Sequence, residues 1–358
     1  MNCLKPRITS HLQNPLPILA FGAVLVLAAA CRLGTNNPAA TSAATLPVVA
    51  SATAIIPPTA TAMPSLTPSA PPTNTPQPMP TATVTPLPAF SFVLASDMVS
   101  GNDPTDLETI PLFGGAVQAI EALGSGDFMI AVGDISPPPS TAAVIAQYLG
   151  PDYAWFPVVG NHDLWPDSMA WLRAYDFGGV KINPGPPDCE ETTYSFDYQN
   201  SHFAVLNVYC DTQSDTRTDG AIVDALYDWL AADLAATQQP HIFVIGHEPA
   251  FPQPDVDTYT ERQVGESLDK YPITRDHFWA LLAEHQVVAY IHGHTHSHSV
   301  VQIDGVWQLD EGHAMGARAQ AALSTFVVVR VAGSAVTYET YRASREGDYS
   351  LRYSGILK

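Results

Sequence analysis

The 358-residue chain sets 15 Lys and Arg against 35 Asp and Glu, a formal net charge of −20 and a pI near 4.7. Nucleic-acid affinity rests mainly on basic surface meeting backbone phosphates, so this balance excludes a nucleic-acid partner. No acidic residue precedes Asp97 and only Lys5, Arg7 and Arg32 are basic there, so residues 97–358 hold about −23 of charge in a stretch long enough for one large core.

In chain order, residues 1–31 come first. Lys5 and Arg7 precede the uncharged run Ile18 to Ala30, which ends at Cys31. This is the grammar of an export signal, and the run is shorter than the roughly 20 residues a membrane-spanning helix needs. Small residues Ala28 to Ala30 lead straight into the cysteine, so the segment resembles a bacterial lipoprotein signal, with Cys31 as the lipid anchor after cleavage. An ordinary cleaved signal with an incidental Cys31 is the alternative. Either way the protein is expected outside the cell, on the outer face of the membrane or secreted. Residues 32–88 form a linker. From Leu33 to Pro88 there is no charge, with 13 Pro and 12 Thr among Ala and Ser. Such a stretch cannot bury enough apolar surface to offset its ordering entropy, and proline keeps it extended; we expect a disordered stalk of the composition that glycosylated stalks share.

Residues 89–358 show a recurring unit: a short apolar run, then glycine in most cases, then a residue able to bind metal. Phe90 to Ser96 ends in Asp97, Phe128 to Val132 in Gly133-Asp134, and Ala154 to Val159 in Gly160-Asn161-His162-Asp163. His241 to Ile245 ends in Gly246-His247-Glu248, and Val287 to Ile291 in His292-Gly293-His294-Thr295-His296. Runs of this length without polar alternation read as strands buried on both faces. Leu107 to Leu123, Thr141 to Leu149, Ser168 to Tyr175, Asp219 to Ala236 and Ile273 to His285 carry helical apolar spacing. The alternation predicts a largely parallel sheet whose carboxyl ends gather the polar clusters.

Thr192 to Tyr198 and His202 to Val208 read as a hairpin turning on Asn200 and Ser201. That fold brings Cys189 near Cys210, and outside the cell a disulfide between them is expected. After the last histidine cluster, Ser299 to Ile303, Val306 to Leu309, Ser324 to Val331, Ser334 to Tyr341 and Tyr349 to Tyr353 are predicted strands. Asp304-Gly305 is a hairpin signal, and the five are expected to build the antiparallel part of a second sheet.

The order Asp, Gly-Asp, Gly-Asn-His-Asp, Gly-His, Gly-His-x-His resembles the calcineurin-like metallophosphoesterase superfamily over roughly Phe90 to Tyr341. The resemblance implies an α/β fold, a four-layer α-β-β-α sandwich of two packed mixed sheets. It also implies hydrolysis of a small phosphomonoester or phosphodiester at two transition-metal ions, Mn, Fe, Zn or Co. Paired cations neutralise the ester oxygens and make water nucleophilic. Carried over motif by motif, Asp134 bridges the ions, Asp97 and His296 complete the first shell, and Asn161, His247 and His294 hold the second. His162 protonates the leaving oxygen or stabilises the transition state, with Asp163 orienting its ring.

The chain departs from that pattern at one point. Where the first motif is usually Asp-x-His, it reads Asp97-Met98-Val99, and Asp134 is followed by Ile135-Ser136-Pro137 rather than by the tyrosine of the purple acid phosphatase branch. His298, His313 and Asp103 are candidates to fill the gap, packing or surface roles being the alternative. Arg262 and Arg318 are candidate phosphate clamps against the alternative of solvated arginines. A catalytically inactive surface metal- or ligand-binding protein on the same scaffold is the competing function.

Overall fold

The computed structural model describes residues 89–98, 110–211, 213–217, 219–315 and 322–358. The signal, the stalk, Cys31, Val99, Asp103 and Arg318 lie outside them. In chain order the strands are β1 (Ala89–Ala95), β2 (Phe128–Ala131), β3 (Trp155–Pro157), β4 (Asn183–Pro184), β5 (Tyr194–Tyr198), β6 (Ser201–Val205) and β7 (His241–Ile245). They continue with β8 (Ala289–His292), β9 (His298–Ile303), β10 (Val306–Glu311), β11 (Thr325–Ala332), β12 (Ala335–Ala343) and β13 (Tyr349–Ile356). The helices are α1 (Ile110–Ala122), α2 (Pro138–Leu149), α3 (Pro166–Arg173), α4 (Asp224–Ala236) and α5 (Pro272–Glu284).

The apolar runs do become buried strands, but in two sheets rather than one, and β3 lies at an edge. The first has the order β13-β12-β11-β1-β2-β3 and the second β4-β5-β6-β7-β8-β10-β9. Parallel β1, β2 and β3 form one half of the first sheet, and parallel β6, β7, β8 and β10 form the centre of the second. Alternate residues of each strand face opposite layers. Phe92 and Leu94 point between the sheets, while Val93 and Ala95 point toward the helices.

The layer between the sheets is aromatic. Phe92 stacks on Phe128 with ring centroids 5.5 Å apart, and meets Phe203 and Phe243 of the second sheet edge-on at 5.2 and 5.3 Å. Phe156 stacks on Phe196 at 3.9 Å. Edge-to-face and offset pairs of this kind add about 1 kcal/mol each beyond the area they bury. The helices cover the outer faces: Phe113, Val117 and Ile120 of α1 join Val93 and Met129, and Phe278 of α5 meets Tyr290.

Two expectations need correction. The five C-terminal strands do not share a sheet. The Asp304-Gly305 turn, with φ of 49° and 88°, holds β9 against β10 in the second sheet, while β11, β12 and β13 cross to the first by pairing β11 with β1. The β5–β6 hairpin turns on Gln199 and Asn200, because Tyr198 opposes Ser201 and Asp197 opposes His202. Extended beyond the ladder, that register sets Cys189 opposite Cys210, and the two are joined by a disulfide.

Candidate metal centre and active site

Six candidate side chains arrive from strand ends of both sheets. Asp97, Asp134 and Asn161 follow β1, β2 and β3; His247, His294 and His296 follow β7 and β8. All but Asn161 are buried. Aiming side chains from different strands at one point takes unusual backbone. Asp97, Asp134, His294 and His296 have φ of 47°, 52°, 71° and 57°, the left-handed region that costs a non-glycine residue about 1 kcal/mol or more. Hydrogen bonds between the loops hold it: Asp97 N to Gly133 O at 3.0 Å, Met98 N to Asp134 O at 3.0 Å, His294 N to Asp97 Oδ2 at 3.0 Å and His162 N to Asp134 Oδ1 at 2.8 Å.

The glycines before these residues are explained by close approach. A Cβ on Gly133 would strike the His247 ring, one on Gly160 would strike Asp134, and one on Gly293 would strike Asp97. These three glycines thus make room for side chains from other motifs, while Gly246 makes room for the Tyr290 hydroxyl.

Ligand atoms of Asp97, Asp134 and His296 lie within 4.8 Å of one another. His296 Nε2 is 3.1 Å from Asp97 Oδ1, and His247 Nε2 is 3.4 Å from Asp134 Oδ2, so Asp134 stands between the two groups. His247 Nδ1 donates to Val132 O at 2.8 Å, which turns Nε2 inward. His294 Nδ1 is 2.9 Å from Asn161 Oδ1. Among the described residues, Asp97 Oδ1, His247 Nε2 and His294 Nε2 are buried without a hydrogen bond, as atoms directed at bound cations would be. Burial alone would raise the Asp97 and Asp134 carboxyls, but the surrounding histidines outweigh it and hold both below the usual range. Burial pushes His294 down to about 3, which keeps its ring neutral and free to ligate. The mixed oxygen and imidazole set fits transition-metal ions.

At the rim, His162 is partly exposed, its Nε2 3.8 Å from Asp134 Oδ2. Asp163 does not orient it, which corrects the expected catalytic role. Its buried carboxylate accepts from Ile135 N at 3.0 Å and Gly160 N at 2.8 Å, tying the second and third motif loops together. Burial, with the Asp134 charge added, raises its carboxyl to about 7.

Arg262 reaches the centre, its Nη1 donating to His296 Nδ1 at 2.7 Å. Its loop is tied down by buried Arg342, which donates to Asp255 Oδ2 and Asp257 Oδ2, both at 2.6 Å. Neither spare histidine fills the Val99 gap. His298 donates from Nδ1 to Asp310 O and accepts at Nε2 from Thr340, while His313 donates from Nε2 to Ala322 O and accepts at Nδ1 from Met315 N. Both ring nitrogens are used in each, so these are packing residues. Sequence reasoning missed Ser96, whose hydroxyl donates to Asp97 Oδ2, and Glu311, buried at the end of β10.

Residues 90–298 match the profile of the calcineurin-like phosphoesterase family. Among curated protein sequences none matches. The fold is similar to a purple acid phosphatase from yellow lupin (Lupinus luteus) seeds, with a TM-score of 0.54 at 16% identity, over 75% of this chain and 54% of that one. The chain therefore spans about half the length of that phosphatase. It is also similar to PhoD, at 13% identity and a TM-score of 0.48 over 76% and 70% of the two chains. GAP50, the anchor in the inner membrane complex of Plasmodium, has a TM-score of 0.49 at 15% identity over 75% and 88%.

Proposed function

The chain belongs to the calcineurin-like phosphoesterase family of metal-dependent phosphoester hydrolases, and we propose that it hydrolyses a small phosphomonoester or phosphodiester outside the cell, at two transition-metal ions, on a domain carried by a stalk lipid-anchored through Cys31. The observation that carries the site assignment is Asp134, set between Asp97 with His296 on one side and His247 on the other, with buried ligand atoms left unbonded on both sides.

Asp97, Asp134 and His296 would hold the first ion and Asp134, Asn161, His247 and His294 the second. When bound, the ions neutralise the ester oxygens and make water nucleophilic at neutral pH. His162, at the exposed rim, is placed to give a proton to the leaving oxygen. The donor-only guanidinium of Arg262 takes the Nδ1 lone pair of His296 in the metal-free chain, so it would have to leave that nitrogen when His296 ligates, which places it to meet an anionic substrate instead. The acidic domain repels anions at long range, but screening over about 8 Å in physiological salt leaves small esters free to approach.

The test is hydrolysis of p-nitrophenyl phosphate and bis-p-nitrophenyl phosphate with Mn, Zn, Fe or Co, by wild type and by the His162→Ala and Asn161→Ala variants. We expect metal-dependent turnover, a kcat lowered about 10²- to 10⁴-fold in His162→Ala with metal binding kept, and weakened metal binding in Asn161→Ala. Val99, in place of the histidine the first motif usually has, favours one competing reading, a surface binding protein without turnover. A folded wild type that binds an ion and hydrolyses neither ester would establish it.

A further inference from the structure

A cavity of about 350 Å³ has walls that continue two of the motif loops. One wall is Pro137-Pro138-Pro139, which begins three residues after Asp134, and the other is Trp165 to Ser168, which begins three residues after His162. Three residues of chain span at most about 11 Å, so both walls stay near the residues they follow. The walls are also tied together: Ser136 Oγ and Ser168 Oγ are 2.6 Å apart, and Asp163 accepts from Ile135 N at 3.0 Å. The cavity thus adjoins the loop of His162, the residue assigned to the leaving oxygen.

Four prolines and the indole of Trp165, 43% exposed, make its wall apolar and rigid, since proline fixes its own backbone and indole has few rotatable bonds. Asp167, also exposed, is the one charge among the described residues that line it. The helix starts at its edge offer little to an anion. Pro138, Pro139 and Pro166 open α2 and α3 without an N–H, and Ser140 N and Thr141 N turn back to Pro137 O at 2.9 and 3.3 Å. An indole face with a carboxylate in the same cavity is the pairing that holds an alkylammonium group, through cation–π attraction and charge. The charge of about −23 on residues 97–358 acts in the same direction, since it repels a purely anionic ester more than one that brings its own cation. We propose that this cavity is the subsite for the leaving alcohol and selects phosphoesters whose alcohol carries an alkylammonium group, with Trp165 and Asp167 holding the cation. The inference rests on the phosphoesterase reading above.

The test is release of phosphate from phosphocholine and from 3,3-dimethylbutyl phosphate, its uncharged isostere, by the Mn²⁺-loaded full-length protein. It compares wild type with Trp165→Leu, Trp165→Phe and Asp167→Asn. Expected is a wild-type kcat/KM that favours phosphocholine. That preference should fall about fivefold in Trp165→Leu, which keeps an apolar wall without the π face, fall also in Asp167→Asn, and be largely kept in Trp165→Phe. Reading each variant as a ratio between the two esters cancels general damage to the centre. A preference that is the same in wild type, Trp165→Leu and Asp167→Asn overturns the inference, as does a wild type that favours the isostere or that hydrolyses a nitrophenyl ester but not phosphocholine. A folded, metal-loaded wild type that hydrolyses none of these esters overturns instead the phosphoesterase reading. Calorimetric titration with phosphocholine then decides the subsite: affinity weakened by Trp165→Leu upholds it, and affinity unmoved overturns it.

Discussion

At the scale of single residues, Asp163 separates what a motif shows from what a carboxylate does. Both its oxygens accept backbone N–H groups, Ile135 N and Gly160 N. Asp163→Asn keeps the shape but turns an NH2 group toward one of those donors. It should lower the free energy of unfolding by about 1–3 kcal/mol, the cost of a buried donor left unmatched. Urea unfolding checks this, and an unchanged midpoint would show that the loops hold without it. The types and spacing of Asp97, Asp134, Asn161, His247, His294 and His296 were legible because each closes an apolar run. The aim of Asp163 and the burial of Glu311 were not, since both depend on neighbours supplied by distant segments.

At the scale of elements, the loop carrying Arg262 is fixed by one buried cation. Burial alone would raise the Asp255 carboxyl, but Arg342 and the His298 N–H draw it down to about 2. A carboxyl depressed in the folded state stabilises above its unfolded pKa, near 4, and loses that contribution as pH falls through about 2. Here it amounts to about 2 kcal/mol. Arg342→Met leaves Asp255 buried and unpaired, and should cost about 3–5 kcal/mol at neutral pH. Because protonation of Asp255 removes the penalty, the gap between variant and wild type should narrow from pH 4 to pH 2 in thermal unfolding; a gap constant with pH would assign the loss to packing. The sequence could not show this tie, because Asp255 and Arg342 are far apart in the chain and meet only where β12 passes the loop. The same limit accounts for β9 to β13: turn chemistry placed each strand, but whether β11 joins β9 and β10 or crosses to β1 is decided by long-range pairing.

At the scale of the whole molecule, two sheets closed on an aromatic layer each deliver half of the centre, so the site depends on their mutual packing. The layered class was legible from the alternation of apolar runs and helical spacing. The division of the motif strands into three and two was not, since parallel strands read alike whichever sheet they enter. The Cys189–Cys210 disulfide, 21 residues apart in the chain, closes the β5–β6 region next to the third motif strand. In the chain-entropy picture it contributes about 3 kcal/mol, so reduction should lower the thermal midpoint by about 5–10 °C. A midpoint unmoved by reductant, with two thiols then titrating, would show that packing alone holds that edge.

The left-handed backbone at Asp97, Asp134, His294 and His296 sets heat resistance against catalysis. Glycine and asparagine tolerate that conformation better than most side chains, and removing buried carboxylates and imidazoles also removes their desolvation cost in the metal-free chain. Selection for thermal endurance in the absence of metal, with no demand for turnover, would therefore settle on glycine or asparagine at these four positions first, and the catalyst would be lost while its scaffold grew firmer.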